Sequence, residues 1–303
     1  MSDYIITIMI FGGIWSILAV SLNLLTGEAG QVSLGQAAFF AIGAYTSALV
    51  AIRMNLPFVV CLVLSAVIAG VFTGVFGLLA LRVREDFLVF TTIGVNFLVV
   101  ALFQNFKVFG GTLGLVGMPF AEIGGKVLTP LMFAVAVALL LALVCIGALL
   151  LRRTWLGTGF TALREDEQAA RMVGIPTRAF KVFAFAISGV VAGLGGGLYA
   201  FYLGSVFPQN FNFLISIQVM AMLVLGGLGT LRGAVVGALI LTALPELLRP
   251  LADYRYTIFG AVLVLVVMFA PDGITGLWDR ARRRDMSTWP AGSAAKITSD
   301  DVA

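Results

Sequence analysis

Long apolar runs separated by short polar intervals recur from the start of the 303-residue chain to about residue 271. A helix needs about 20 predominantly apolar residues to cross a bilayer. On that rule spans are predicted near 5–25, 32–52, 57–81, 87–105 and 128–151. After a polar interval four more follow near 181–203, 213–228, 233–249 and 255–271, the seventh being the shortest. The pattern predicts an all-α polytopic membrane protein of about nine transmembrane helices, with eight to ten compatible with boundary errors of a few residues.

Polar positions inside the runs add detail. The second run is small and polar for much of its length, with Ser33, Gly35, Gln36, Ala37, Ala38, Ala41, Gly43, Ala44, Thr46 and Ser47, so it is expected inside the bundle. Asn23, Thr26, Gly27, Glu28, Gly30 and Gln31 precede it as a glycine-rich polar break. Irregular backbone at membrane depth is tolerated only when buried in protein or lining a cavity. The break therefore either lines a pathway, with Asn23, Gln31, Ser33, Gln36 and Asn96 as candidate lining residues, or forms a polar turn at the water interface. Small residues four apart let membrane helices approach closely. Gly189, Gly193 and Gly197 share such a face, beside Ala192, Gly196 and Ala200, while Ala66, Gly70 and Gly74 form another; Gly226, Gly227 and Gly229 are further packing candidates. These ridges suit bundle packing or a sliding surface.

Composition agrees with this picture. Sixty per cent of residues are hydrophobic and 11% charged, against about 25% charged in soluble domains. Residues 1–11 contain Asp3 and no Lys or Arg, so the basic region that opens a secretory signal is missing and the first run is expected to be retained as a span. Cytoplasmic loops keep an excess of Lys and Arg. With the N-terminus outside and the C-terminus cytoplasmic, fourteen basic residues fall inside: Arg82, Arg84, Arg152, Arg153, Arg164, Arg171, Arg178, Lys181, Arg232, Arg280, Arg282, Arg283, Arg284 and Lys296. Five fall outside: Arg53, Lys107, Lys126, Arg249 and Arg255. A re-entrant seventh segment would put Arg280 to Arg284 opposite the loop from Arg152 to Lys181, which the charge rule disfavours. Residues 1–279 are read as one transmembrane domain with a cytoplasmic loop at 152–180, and residues 280–303 as a disordered cytoplasmic tail too poor in large apolar groups to order itself.

Several chemistries are excluded. The chain has no His and two Cys, Cys61 and Cys145, both within apolar runs, so disulfide frameworks, ordinary zinc sites and His-based nucleophile arrangements are not expected. The basic residues form no continuous patch of the kind nucleic acids require. No predicted span carries an ionisable residue near its middle, whereas ion-driven carriers use carboxylates at depth. A membrane-embedded enzyme would need an interfacial cluster of Asp, Glu, His or Cys. Adjacent acidic pairs include Glu165-Asp166 and Asp300-Asp301, the latter in the tail.

The loop between the fifth and sixth runs contains Ala162 to Pro176 and is expected to form a short amphipathic helix. At 100° per residue Leu163, Ala169, Ala170 and Val173 gather on one side, and Arg164, Glu167, Gln168 and Arg171 on the other. Glu167 is spaced to pair weakly with Arg164 or Arg171, and Gly174 with Pro176 is a helix stop. Gln168-Ala169-Ala170, three residues, then Gly174 resembles the EAA loop of ABC importer permeases, with Gln in place of the eponymous Glu. The likeness extends further. Ser21 to Phe39, Ala162 to Glu165 through Gly174-Ile175, Ala192 to Leu194 through Tyr199-Ala200, Leu225 to Gly233, and Leu244 to Arg249 resemble the branched-chain amino acid permease family, its LivM-type member. These blocks run in family order from about residue 16 to 277.

That resemblance implies a bacterial inner-membrane permease subunit that pairs with a second related permease, two cytoplasmic ATPase subunits and an extracytoplasmic solute-binding protein. It implies that Leu163, Arg164, Glu165, Glu167, Ala169, Ala170 and Gly174 dock the ATPase. The chain has no G-x-x-x-x-G-K-[ST] phosphate loop, so ATP and Mg would be bound by the partners and no cofactor by this chain. Branched-chain or related amino acids are the implied cargo, with urea, short amides or aromatic acids as alternatives. Two departures bear on cargo: Thr92-Ile93-Gly94 is followed by uncharged Val95 to Val100 where many relatives carry Glu and Arg, and Phe109 stands where Thr is common.

Overall fold

The computed structural model describes residues 2–80, 83, 85–247, 260 and 273–276. Apart from Gly260, the expected ninth span at 255–271 lies outside the described residues, as do the cluster Arg280 to Arg284 and the tail. Among the described residues seven helices are long and apolar enough to cross a membrane, and a shorter apolar helix, Leu231–Pro245, follows them. In chain order the helices are α1 (Ser2–Leu22), α2 (Gln36–Met54), α3 (Phe58–Ala80), α4 (Glu85–Asn105), α5 (Pro130–Arg152), α6 (Trp155–Glu165), α7 (Glu167–Met172), α8 (Thr177–Leu203), α9 (Phe213–Gly226) and α10 (Leu231–Leu247). Two short antiparallel strand pairs accompany them: Leu115–Val116 with Ser205–Val206, and Glu122–Ile123 with Lys126–Val127.

Local chemistry sets several boundaries. Asn212 caps α9 by accepting from the Ile215 amide at 3.3 Å, and Thr129 caps α5 ahead of Pro130. Asn55, with φ 49°, ends α2 in the left-handed region. The largest departure from the expected spans follows α1. The polar break does not unwind there: Asn23–Glu28 continues α1 as a π-helical turn whose six residues are all buried. Residues 29–35 then run irregularly, and α2 begins at Gln36 rather than near 32. That backbone is held by neighbours. Leu34 N donates to Thr92 Oγ1 of α4 at 3.0 Å, Ala37 N to Ser216 Oγ of α9 at 3.0 Å, and Gln31 N to Leu25 O at 3.0 Å.

Close approach builds the core around α8. On its α3 side, a Cβ at Gly193 would lie 2.5 Å from Ser65 O and 2.7 Å from the Ala69 Cβ, and Gly197 faces Leu62 and Ser65. On its α2 side, Gly43 meets the Gly193 backbone and Gly196 meets Phe40 and Ala44. Gly70 and Gly74 of α3 receive Val190 and Ala186 in return. Ser65 Oγ donates to Gly193 O at 3.1 Å, so the proximity also supplies a hydrogen bond between helices. Gly226 packs directly on Gly233, joining α9 to α10. At the end carrying the strand pairs, Phe109 packs against Phe103 and Tyr45 with ring centroids 4.8 and 5.9 Å away, so the aromatic at this position completes a cluster.

Steric demand differs sharply along α8. A Cβ at Gly195 would sit 3.4 Å from Ile17 and 3.5 Å from Phe40, ordinary contact distances. Gly195→Ala should therefore be neutral or raise stability by up to about 1 kcal/mol through helix propensity. Gly193→Ala should lower it by about 1–3 kcal/mol through overpacking. Thermal unfolding of the two detergent-solubilised variants checks the opposite signs.

Candidate functional site

The segment between α5 and α8 forms two helices, not the single one expected. Asp166, at φ −159° and ψ 110°, interrupts the run and caps α7 by accepting from Gln168 N at 2.7 Å and Ala169 N at 3.0 Å. The interruption breaks the 100° register on which the amphipathic reading rests. Leu163 on α6 and Ala170 on α7 are buried, but Ala169 is exposed and Val173 is 81% exposed, with Met172 at 88%. Gly174, at φ 87°, closes α7 with Ile175 N donating to Ala170 O and Gly174 N to Arg171 O, both at 3.0 Å. Only a residue without a Cβ adopts that left-handed geometry freely. Glu165 is exposed at the end of α6. Between α7 and α8 lies an open cleft of about 370 Å³ lined by Arg171, Gly174, Ile175, Pro176, Thr177 and Arg178.

Both short helices are tied to the bundle. α6 lies against α8, where Phe180 meets Trp155 and Phe160 edge-on at 5.3 and 6.1 Å. Gly159 leaves room for the Phe180 ring, which a Cβ would strike. Glu167 binds Arg171 and, at 2.7 Å, Lys181 of α8, rather than Arg164 three residues before it. Arg171 Nε also donates to Thr177 Oγ1 at 3.1 Å. Arg164, expected on the solvated side, reaches from α6 to the π-helical turn and donates from Nη1 to Gly27 O at 2.6 Å. Arg152, at the end of α5, donates from Nε to Glu28 Oε1 at 2.8 Å and from Nη2 to Gly229 O at 2.9 Å. Gly229 N in turn donates to Asn23 Oδ1 at 3.0 Å. Gly229 has φ 79°, and a Cβ on Gly27 would lie 2.7 Å from Gly229 N, so two glycines permit this junction. Gly227 opens the same turn at φ 117°.

The candidate pathway residues divide. Asn23 belongs to the junction just described. Gln31 donates to Ala29 O at 3.4 Å, and Ser33 Oγ accepts from Gly35 N at 3.2 Å, so both serve the irregular segment. Gln36 and Asn96 enter the packed interior: Gln36 Nε2 donates to Ser21 Oγ and, at 3.3 Å, to Ser188 Oγ, while Asn96 Nδ2 donates to Ser216 Oγ at 3.4 Å. All five are buried. Sequence reasoning missed Ser21, Ser188, Ser216 and Thr92, single hydroxyls inside apolar runs whose partners lie far away in sequence. Among the described residues Asn23 Nδ2 and Gln36 Oε1 have no partner, so each amide fills only part of its hydrogen-bonding capacity there. Among the described residues no group of three or more His, Cys, Asp or Glu could hold a metal ion.

Removing the Arg152 guanidinium would leave the Glu28 carboxylate, whose side chain is 8% exposed, without its ion-pair partner. Because Arg152 is 33% exposed, Arg152→Met should destabilise by about 1–2 kcal/mol, below the range for fully buried pairs. Glu28→Gln in the same chain should recover part of that loss. A double-mutant cycle on detergent melting measures the coupling.

A family model described as "Branched-chain amino acid transport system / permease component" matches residues 4–267. The chain is 33% identical to the high-affinity branched-chain amino acid transport system permease protein LivM of Escherichia coli (strain K12), over 86% of this chain and 67% of that protein. LivM of Salmonella typhimurium gives the same figures. The autoinducer 2 import system permease protein LsrC of Yersinia enterocolitica is 34% identical over 52% of this chain and 50% of its own length. No solved structure matches.

Proposed function

The chain belongs to the branched-chain amino acid transport permease family, and on that premise we propose that it is the membrane-spanning subunit of an ATP-driven importer of branched-chain or related amino acids. The importer sits in a bacterial inner membrane, with the α6–α7 end facing the cytoplasm and nine spans starting outside. A second related permease completes the bundle, two ATPase subunits bind and hydrolyse ATP with Mg, and a solute-binding protein delivers cargo from outside. The LivM relatives support the cargo class. LsrC, named for autoinducer 2 import, shares about half the chain. Permeases of this kind are thus compatible with unlike solutes, and the choice among them is assigned to the binding protein.

The observation that carries this reading is the form of α7. It presents Met172 and Val173 almost fully exposed beside Gly174, an apolar tip that suits insertion into a partner's groove. Behind the tip, Glu167 is held by Lys181, and Arg164 holds the π-helical turn. A push on the arm formed by α6 and α7 would therefore reach α8 and the α1–α2 connection as displaced hydrogen bonds, and bias the bundle between two arrangements.

Ala169→Glu and Gly174→Arg place a charge, or a strained left-handed side chain, at this tip. Each should reduce both ATPase co-purification and ATP-dependent leucine uptake at least tenfold while membrane insertion and yield stay unchanged. Uptake at normal rates by either variant, or by the chain reconstituted without any ATPase, would sink the proposal.

A further inference from the structure

A hydroxyl enclosed in an apolar interior loses its hydration and needs a partner in exchange. The two tyrosines of α8 obey that rule: the Tyr202 hydroxyl bonds Thr7 Oγ1 at 3.0 Å, and that of Tyr199 bonds the side chain of Asn210. Tyr45, in the middle of α2, does not. It is 1% exposed, and its hydroxyl has no hydrogen-bond partner among the described residues. A buried polar atom left unpaired in a native fold calls for an explanation.

Rings close over this side chain. Tyr45 stacks on Phe103 of α4 with centroids 4.0 Å apart, and Phe109 and Phe211 stand 5.9 and 6.1 Å away. Phe109 belongs to the loop after α4 and Phe211 to the loop before α9. Those loops form one cap at the end of the bundle remote from α6 and α7. They are joined by the pairing of Leu115–Val116 with Ser205–Val206, by Met118 N donating to Gly204 O at 3.2 Å, and by Gln209 Nε2 donating to Thr112 O at 3.2 Å. Gly114, at φ 67°, lets the first loop lie on the second, since a Cβ there would stand 2.2 Å from Val206 O. Arg53 Nη2, at the end of α2, donates to Val108 O at 3.0 Å. Beneath the rings, helical spacing puts fully buried Ala41 and Ala38 on the Tyr45 face of α2. Further in, Ser216 of α9 accepts from Ala37 N at 3.0 Å and from Asn96 Nδ2 of α4 at 3.4 Å.

We propose that this cap is an outer gate of the passage, held shut by the rings of Tyr45, Phe103, Phe109 and Phe211, and that the Tyr45 hydroxyl is the group that favours its opening. The proposal rests on the transport role proposed above. Ring contacts attract without fixing one geometry, so they close the gate but let it part and re-form. Shut, the gate keeps the hydroxyl dehydrated and unpaired; open, it lets water reach the hydroxyl ahead of the arriving cargo. The two effects oppose each other and keep both arrangements within reach.

The test uses the complete transporter in right-side-out membrane vesicles, carrying Cys61→Ala and Cys145→Ala, with Ala41→Cys as a reporter one turn beneath Tyr45. A membrane-impermeant methanethiosulfonate added outside reaches position 41 when the cap opens. Tyr45→Phe keeps the ring and removes the hydroxyl. It should slow that reaction about tenfold, the worth of one buried unpaired hydroxyl, and raise the melting temperature in detergent by about 2–4 °C. Phe103→Leu, which removes the stacked ring, should speed the reaction severalfold. A fixed partner for the hydroxyl would reverse the first result, so either a lower melting temperature or an unslowed reaction for Tyr45→Phe sinks the proposal. So does a position 41 that stays unreactive even in Phe103→Leu. Should the reaction respond as expected while the unaltered transporter imports no solute under ATP, the cap is a gate and the transport reading falls.

Discussion

The bundle depends on how closely α8 approaches α2 and α3. In hydrocarbon there is no water to expel, so helices are held together by contact and by hydrogen bonds that form at short range. Gly193 and Gly196 bring backbone against backbone, and Ser65 Oγ then reaches Gly193 O at 3.1 Å. The same approach sets α8 beside α1, where Ser21 Oγ donates to Ser188 O at 2.6 Å and Gln36 joins the pair. With α8 displaced by the width of a methyl group, these polar groups would be stranded in an apolar interior. The glycines thus do more than save space, because they make the buried hydrogen bonds geometrically possible.

Around that core the chain tolerates unusual backbone. The π-helical turn at Asn23–Glu28 and the irregular residues 29–35 would be untenable against lipid, since their amides and carbonyls need partners. Here α4 and the α6 end supply them through Thr92 and Arg164, while Ser216 of α9 takes the Ala37 amide in the first turn of α2. This irregular stretch lies at the place where the α6–α7 arm touches the bundle.

Much of the architecture was legible because hydrocarbon demands a length of apolar sequence that little else demands. The runs at 57–81, 87–105 and 128–151 fall close to α3, α4 and α5. The connection after α1 was not legible: Thr26-Gly27-Glu28 reads as a turn by composition, and only its long-range partners keep it helical. The division between α6 and α7 had a local sign, since Asp166 followed by Glu167 is a good helix start. Periodicity read across Asp166 obscured it and put Val173 on the wrong side. Contacts such as Ser21 with Ser188, 167 residues apart, leave no trace in local pattern. The family resemblance, by contrast, was carried by blocks of residues spread along most of the chain, and the comparisons bear it out.

The junction of Asn23, Gly27, Arg152, Arg164 and Gly229 also orders the birth of the protein. Arg152 meets Gly229 across 77 residues and Gly229 meets Asn23 across 206. Contacts so distant close only after the intervening chain exists. A ribosome that has released α7 has made the arm but only part of its seat, the rest of which waits for α8 and the turn after α9. A partner that required the seated arm would ignore the unfinished bundle, so assembly would carry its own quality control.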